Sequence, residues 1–199
     1  MNRPVELRTQ RLLLRRWRKE DRDAFAAMCG DERVMEFLPA IATRAESDAA
    51  VDRAESHFKQ HGFGYWAVEI PDEAKFIGFV GLSRPRFEAA FTPCIEIGWR
   101  LASAYWGQGY ATEAASVAVV FGFEVLNLPE ILSFTVPLNL RSRRVMENIG
   151  MRHAPEEDFE HPTLPEGHPL RRHVLYRLTR EDWEAELTGS HSENASEEG

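Results

Sequence analysis

Trp106-Gly107-Gln108-Gly109-Tyr110-Ala111-Thr112-Glu113-Ala114 lies between two unlike patterns. Before it, Ile95 to Leu101 reads as a strand; after it, an Ala/Val-rich run to about Leu126 reads as a helix. The stretch is therefore a strand-to-helix turn. Its glycines let the backbone bend tightly and approach a ligand without Cβ interference. The first amides of the following helix have no intrahelical partner, and the dipole adds positive potential there. Such a terminus suits a phosphate or pyrophosphate. Taken alone, the turn has a second reading, as a tight connection with close packing at Ala111. The Walker pattern is absent, because no Gly-Lys-Ser/Thr occurs. The Rossmann fingerprint needs a third glycine where Thr112 stands, and belongs on the first strand of its unit.

Working outward, both flanks alternate element types. Arg11 to Arg15 suits a strand, and Glu20 to Met28 has helical spacing with Asp21 and Asp23 in its first turn. Ser47 to Gln60 carries the stripe Ala50, Val51, Ala54, Phe58, with Gly62 after its end. Tyr65 to Ile70 and Phe76 to Leu82 form a hairpin around Pro71-Asp72-Glu73-Ala74. Beyond the turn come a strand at Ile131 to Val136, a helix at Leu140 to Ile149 closed by Gly150, a long Pro- and His-containing loop, and a strand at Val174 to Leu178. Trp183 and Leu187 suggest a last short helix. This order predicts an α/β protein, an α+β mixed sheet with helices on its faces, in one domain over 1–187. Thr188 to Gly199 has no large apolar residue and is expected to be a disordered acidic tail.

The chain has 199 residues, 32 acidic and 24 Lys or Arg, for a net charge of -8. Glu193, Glu197 and Glu198 account for three of those charges, leaving -5 on the rest. Net acidity disfavours general nucleic-acid or anionic-membrane binding, though not a small basic site. The longest apolar stretch, Ala114 to Phe123, is far shorter than the ~18 residues of a membrane span. With no apolar signal core at the N-terminus, the expected location is the cytoplasm. Cys29 and Cys94 match no metal or redox spacing and read as reduced structural thiols. His153, His161, His168 and His173 match no metal pattern either, so no metal is expected.

The turn resembles the acyl-CoA-binding motif of the GNAT superfamily of N-acetyltransferases, Arg/Gln-x-x-Gly-x-Gly/Ala. Gly109 and Ala111 match its last two fixed positions, while Trp106 replaces Arg/Gln. Trp-Gly-x-Gly-x-Ala-Thr-Glu-Ala is similar to the variant of the RimJ/RimL-type branch, which acetylates protein N-termini. Thr9-x-Arg11-Leu12-x-Leu14-Arg15, Phe63-Gly64-Tyr65-Trp66-Ala67-Val68, Ile77-Gly78-x-x-Gly81-Leu82, Glu96-Ile97-Gly98-Trp99 and Asn139-x-x-Ser142-x-x-x-Met146-x-x-x-Gly150-Met151 match further segments of that branch in order.

The resemblance implies a fold in which the fourth and fifth strands, here Ile95–Leu101 and Ile131–Val136, run parallel and splay apart around acetyl-CoA. By residue-wise carry-over, Ile97, Gly98, Trp99, Arg100 and Leu101 would line the pantetheine arm, with a backbone N–H near Trp99 polarising the thioester carbonyl. Amides from Gly107 through Gln108, Gly109, Tyr110 and Ala111 to Thr112 would hold the pyrophosphate beside Trp106. Asn139 and Ser142 would also contact the cofactor, and Arg143 or Arg144 a CoA phosphate; Arg143 could instead pair with Glu147.

Two residues are candidates for catalysis. Ser142 lies on an otherwise apolar helix face with Val145, Met146 and Ile149. Either its hydroxyl bonds the carbonyl one turn back, or it protonates the leaving thiolate. Many family members place a tyrosine acid where Met146 stands, which raises the claim of Ser142. Glu96, the carboxylate of its strand, is either the base for the incoming amine or a solvated or ion-paired side chain. Glu113 is a rival base whose position the helix dipole alone explains. The implied activity is direct acetyl transfer from acetyl-CoA to a primary amine, either a peptide N-terminus or a small molecule. The acceptor would enter near Phe37-Leu38 and the 155–172 loop. An inactive acyl-CoA-binding module and a different acyl donor are the alternatives. Family members often dimerise, but no feature of the sequence marks an interface.

Overall fold

The computed structural model describes residues 6–40 and 42–194. Its strands are β1 (Leu7–Arg8), β2 (Leu13–Arg15), β3 (Tyr65–Ile70), β4 (Ala74–Ser83), β5 (Glu96–Leu101), β6 (Glu130–Thr135), β7 (Arg152–His153), β8 (Phe159–Glu160) and β9 (Arg172–Thr179). Its α-helices are α1 (Asp21–Cys29), α2 (Glu32–Met35), α3 (Arg44–His61), α4 (Tyr110–Val120), α5 (Leu140–Asn148) and α6 (Arg180–Asn194). The sheet order is β1-β2-β3-β4-β5-β6-β9-β7, with β8 paired to β9. Every pair is antiparallel except β5–β6. The mixed sheet expected from the sequence is therefore present. The expected fourth and fifth strands are β5 and β6, because the two-residue β1 escapes any periodicity.

Local chemistry explains the elements that position the site. Thr43 and Glu46 form a reciprocal capping box that starts α3 three residues before the expected Ser47. Gly62, at φ 76°, ends it. Asn139 caps α5, its side chain accepting from the Ser142 amide. The Ala/Val run of α4 buries Ala114, Ala115, Ala118 and Val119 against the sheet, in a core shared with Met146 of α5 and with Ile149 at its C-cap. A second core gathers Phe25, Met28, Val34, Met35 and Val51 of α1–α3 with Trp17, Phe76 and Phe79. The helix expected to run to about Leu126 changes character at Phe121. Leu126 N–H donates to Phe121 C=O at 3.2 Å, five residues back, and the wider turn buries both Phe121 and Phe123. Helix α6 runs to Asn194, seven residues beyond the boundary expected at 187, and 195–199 lie outside the described residues.

Candidate active site

Strands β5 and β6 share a single parallel register pair, Glu96 with Leu132. Leu132 N–H donates to Ile95 C=O at 3.0 Å, and the Ser133 hydroxyl donates to Ile97 C=O at 2.9 Å. Past that point the ladder stops and the strands fork. The carbonyls of Ile95 and Ile97 both face β6, so by strand alternation the backbone of Trp99 faces the opening too. This is the splay the sequence led us to expect, with Glu96 at its apex.

Glu96, Gly98 and Arg100 share one face of β5, the face toward α1 and α3. The Tyr65 hydroxyl donates to Glu96 Oε1 at 3.0 Å. A Cβ at Gly98 would meet that hydroxyl at 3.1 Å and the ring at 3.3 Å, so glycine leaves the tyrosine room to reach the carboxylate. Burial pushes the Glu96 carboxyl up to about 7, with the Tyr65 hydrogen bond opposing the shift. A half-buried carboxyl titrating near neutrality, at the apex of a forked sheet, can take a proton from an amine.

At the other end of the fork lies the glycine turn. The Trp106 indole N–H donates to Leu101 C=O at 2.8 Å, so its side chain closes the turn rather than offering a donor outward. Gly107 and Gly109 have φ of 73° and 79°, the left-handed region where a Cβ is strained. The first helical bond runs from Glu113 N–H to Gly109 C=O at 3.0 Å, so the amides of Tyr110, Ala111 and Thr112 have no intrahelical acceptor. A would-be Cβ on Gly107 meets nothing within 4 Å. Open space beside free amides fits a pyrophosphate. The Gln108 side chain is turned back onto Ala104 C=O at 3.2 Å.

Glu113, the rival base, is engaged elsewhere. Arg11 donates to it from Nε at 2.6 Å and from its backbone N–H at 3.0 Å, and the Thr9 hydroxyl adds a short bond. Burial would raise this carboxyl, but Thr9 and Arg11 outweigh it and hold it below its ordinary value. Arg11 also donates to Gln108 C=O at 3.0 Å and lies 4.6 Å over the Tyr110 ring. The Thr9-x-Arg11 motif therefore clamps the glycine turn to the N-terminal edge of the sheet, a role no local pattern discloses.

On α5, Asn139 is a structural cap, and its amide also donates to Thr135 Oγ1 at 3.1 Å. Ser142 is half-buried, and its hydroxyl makes no hydrogen bond among the described residues, so it does not bond the carbonyl one turn back. Arg143 does not pair directly with Glu147. It donates to the Tyr176 hydroxyl at 3.1 Å, and that hydroxyl donates to Glu147 at 2.8 Å. Arg144 is exposed, with no ion-pair partner among the described residues. Arg141 pairs with Glu36 at 2.7 Å and lies 4.5 Å over the Trp106 ring, tying α5 to the turn.

The Glu96 face opens into a cavity of about 370 Å³. Its walls are α3 (Arg53, His57), the aromatic residues Trp17, Phe25, Phe79 and Phe134, the β4–β5 loop from Arg84 to Phe87, and His161. The 155–172 loop contributes His161 to this cavity. Phe37 and Leu38 do not line it: Leu38 packs into the α1–α3 core, and Phe37 lies 5.9 Å beneath Arg141. The β4–β5 loop is the wall the sequence does not disclose. Cys94 is half-buried, its thiol pushed up to about 11 by burial first and then by Glu96 and Glu130, which disfavours a thiolate nucleophile. No group of three His, Cys, Asp or Glu among the described residues could hold a metal ion, and none of their helices is long and apolar enough to cross a membrane.

The fold has counterparts in known proteins. Residues 11–152 match the acetyltransferase (GNAT) domain. The chain is 29% identical over 180 residues to the uncharacterized N-acetyltransferase YnaD of Bacillus subtilis, spanning 90% of this chain and 99% of that one. The GNAT-family acetyltransferase of Bacillus anthracis superposes with a TM-score of 0.73 at 26% identity, covering 88% of this chain and 99% of that one. Mycobacterium smegmatis RimJ in complex with CoA-disulfide shares the fold, with a TM-score of 0.67 at 20% identity, covering 86% of this chain and 83% of that one. The chain belongs to the GNAT family of acetyltransferases and is by that membership an acetyl-CoA-dependent N-acetyltransferase.

Proposed function

We propose that the protein transfers the acetyl group of acetyl-CoA to a primary amine by direct attack in a ternary complex, with Glu96 as base and Ser142 as acid. The position of Glu96, at the apex of the fork and at the base of the aromatic cavity, carries this reading. Acetyl-CoA supplies an activated acetyl thioester. Amides of the 107–112 turn would hold its pyrophosphate, and Arg144, the arginine of α5 left free, a further phosphate. The amine enters from the α1–α3 side and loses its proton to Glu96, directly or through water. Nitrogen bonds to the acetyl carbon as the carbon–sulfur bond breaks. The Trp99 N–H faces the fork, where charge develops on the carbonyl oxygen. The departing thiolate takes a proton from the Ser142 hydroxyl, and the second proton, shed by the acylated nitrogen and relayed through water, restores that hydroxyl.

The test is a pH–rate profile with acetyl-CoA and a panel of peptides and small amines, read as thiol release. For an accepted amine, kcat/KM should rise through a limb near 7, the value to which burial brings Glu96. Glu96→Gln should lower it roughly 10²–10³-fold and leave only the amine's own ionisation, near 8 for a peptide α-amine and about 10 for an alkyl amine. An unshifted limb at full rate removes Glu96 from the mechanism. Thiol release at the wild-type rate in Ser142→Ala removes Ser142. No release with any amine would leave an acyl-CoA-binding module.

A further inference from the structure

Most arginines of the described chain face a carboxylate: Arg11 meets Glu113, Arg16 meets Glu55, and Arg22 meets Asp48 and Asp52. Among the described residues, six arginines lack such a partner. Arg143 and Arg144 are two, on the α5 segment assigned above to CoA. The other four, Arg53, Arg84, Arg86 and Arg100, all line the cavity over Glu96.

Their placement grades from mouth to floor. Arg53, on α3, and Arg84 and Arg86, on the β4–β5 loop, are exposed. Arg100 is half-buried on β5, 3.7 Å from Cys29 Sγ, 3.8 Å from Met35 Sδ and 5.5 Å from the Phe79 ring centre. None of those contacts neutralises it. Burial pulls its pKa down, the mark of a cation short of counter-charge. Among the described residues, Glu96 is the one carboxylate in the wall. His57 adds no anion: its Nδ1 is 2.7 Å from Phe63 C=O and its Nε2 accepts from the Arg84 amide at 3.3 Å. Burial, then His61, Arg84 and Arg86, lower its pKa. The positive cavity lies in a protein of net charge -8, so it is a local feature that opposes the field of the whole.

Four under-compensated cations around one carboxylate repel a polyamine and attract an anion. Between mouth and floor the wall is aromatic, through Trp17, Phe25, Phe79 and Phe134. The volume of about 370 Å³ is at the small-molecule end of ligand sites. Resting on the acetyl-transfer reading above, we infer that the acceptor is a small apolar amine bearing its own carboxylate, bound with the amine toward Glu96 and the carboxylate toward Arg84 and Arg86. Peptide N-termini, whose chain must continue out of the cavity, are the competing outcome.

The experiment pairs free amino acids with their carboxamides, phenylalanine with phenylalaninamide first, as acetyl acceptors. It also measures binding of the unreactive 3-phenylpropionate and its amide by calorimetry. The free acid should be preferred by at least about tenfold, the worth of one charge-assisted hydrogen bond. Arg84→Ala with Arg86→Ala should collapse that ratio toward unity through KM, with CoA affinity held. Equal turnover of acid and amide, or turnover of peptides alone, overturns the carboxylate inference while transfer stands. Selective, arginine-dependent binding of 3-phenylpropionate without any turnover supports the carboxylate site and overturns transfer instead. No preference in either assay overturns the inference.

Discussion

Glu96 is under two opposed influences, and the balance can be moved one atom at a time. Burial raises its carboxyl to about 7, while the Tyr65 hydroxyl, by donating, favours the ionised form. Tyr65→Phe removes the donor and keeps the ring, so the limb in kcat/KM should move to higher pH; a limb left in place would mean the hydroxyl does not act on this carboxyl. The same shift has a stability consequence. The folded pKa lies above the unfolded value of about 4.3, so the native state holds the proton more tightly. Stability is fully present below about 4.3 and falls as pH rises toward about 7. Glu96→Gln should match the wild type in thermal unfolding at pH 4 and exceed it at pH 8 by roughly 1–3 kcal/mol. An identical difference at both pH values counts against a buried, titrating Glu96. The sequence could show Glu96 as a carboxylate on a strand. It could not show the burial or the Tyr65 contact, which pairs positions far apart in the chain across the sheet.

At the level of elements, the start of α4 depends on the turn between β1 and β2. Its free amides are aimed by a turn whose shape Arg11 holds through Glu113 and Gln108 C=O. Glu113→Gln weakens that clamp and leaves the fork intact. It should therefore raise KM for acetyl-CoA severalfold with the Glu96 limb unmoved in pH. Loss of kcat together with the limb would restore Glu113 as the base. Arg144→Ala should weaken CoA binding and flatten its salt dependence, because one cation no longer meets a phosphate. Unchanged affinity in calorimetry would release Arg144 from the site. The glycine turn was readable because Gly107 and Gly109 mark the backbone itself. The clamp was not, because Arg11 and Glu113 meet only after folding. Strands β1, β7 and β8, at two residues each, and α2, at four, are too short for any period to mark them.

The molecule as a whole hangs on an ion pair that composition counts merely as charge. Arg15 and Asp21 are each 2% exposed by side chain and pair at 2.7 Å, and Arg15 Nε donates to Glu69 at 2.6 Å. The contact joins β2 to β3 and to the first turn of α1, so it fixes the α1–α3 layer, and with it the cavity wall, onto the sheet. Burial alone would lower the pKa of Arg15; Asp21 and Glu69 outweigh it. Sequence placed Asp21 at a helix start, where the dipole explains it, and so concealed that its carboxylate faces inward. Charge sorting is likewise invisible in a tally: only in three dimensions do most of the described arginines become paired struts while Arg53, Arg84, Arg86 and Arg100 gather unpaired around the cavity. Asp21→Ala leaves a buried guanidinium short of a partner and should cost about 3–5 kcal/mol. At roughly 2–4 °C per kcal/mol for a chain of this size, the melting temperature should fall by roughly 6–20 °C. Asp52→Ala is the control. That carboxylate pairs with Arg22 at 2.5 Å but is 67% exposed, and exposed pairs contribute about 0–1 kcal/mol. Equal losses for the two variants in calorimetric unfolding would mean that the Arg15 pair is solvated in solution and that the α1–α3 layer is held by its apolar contacts alone.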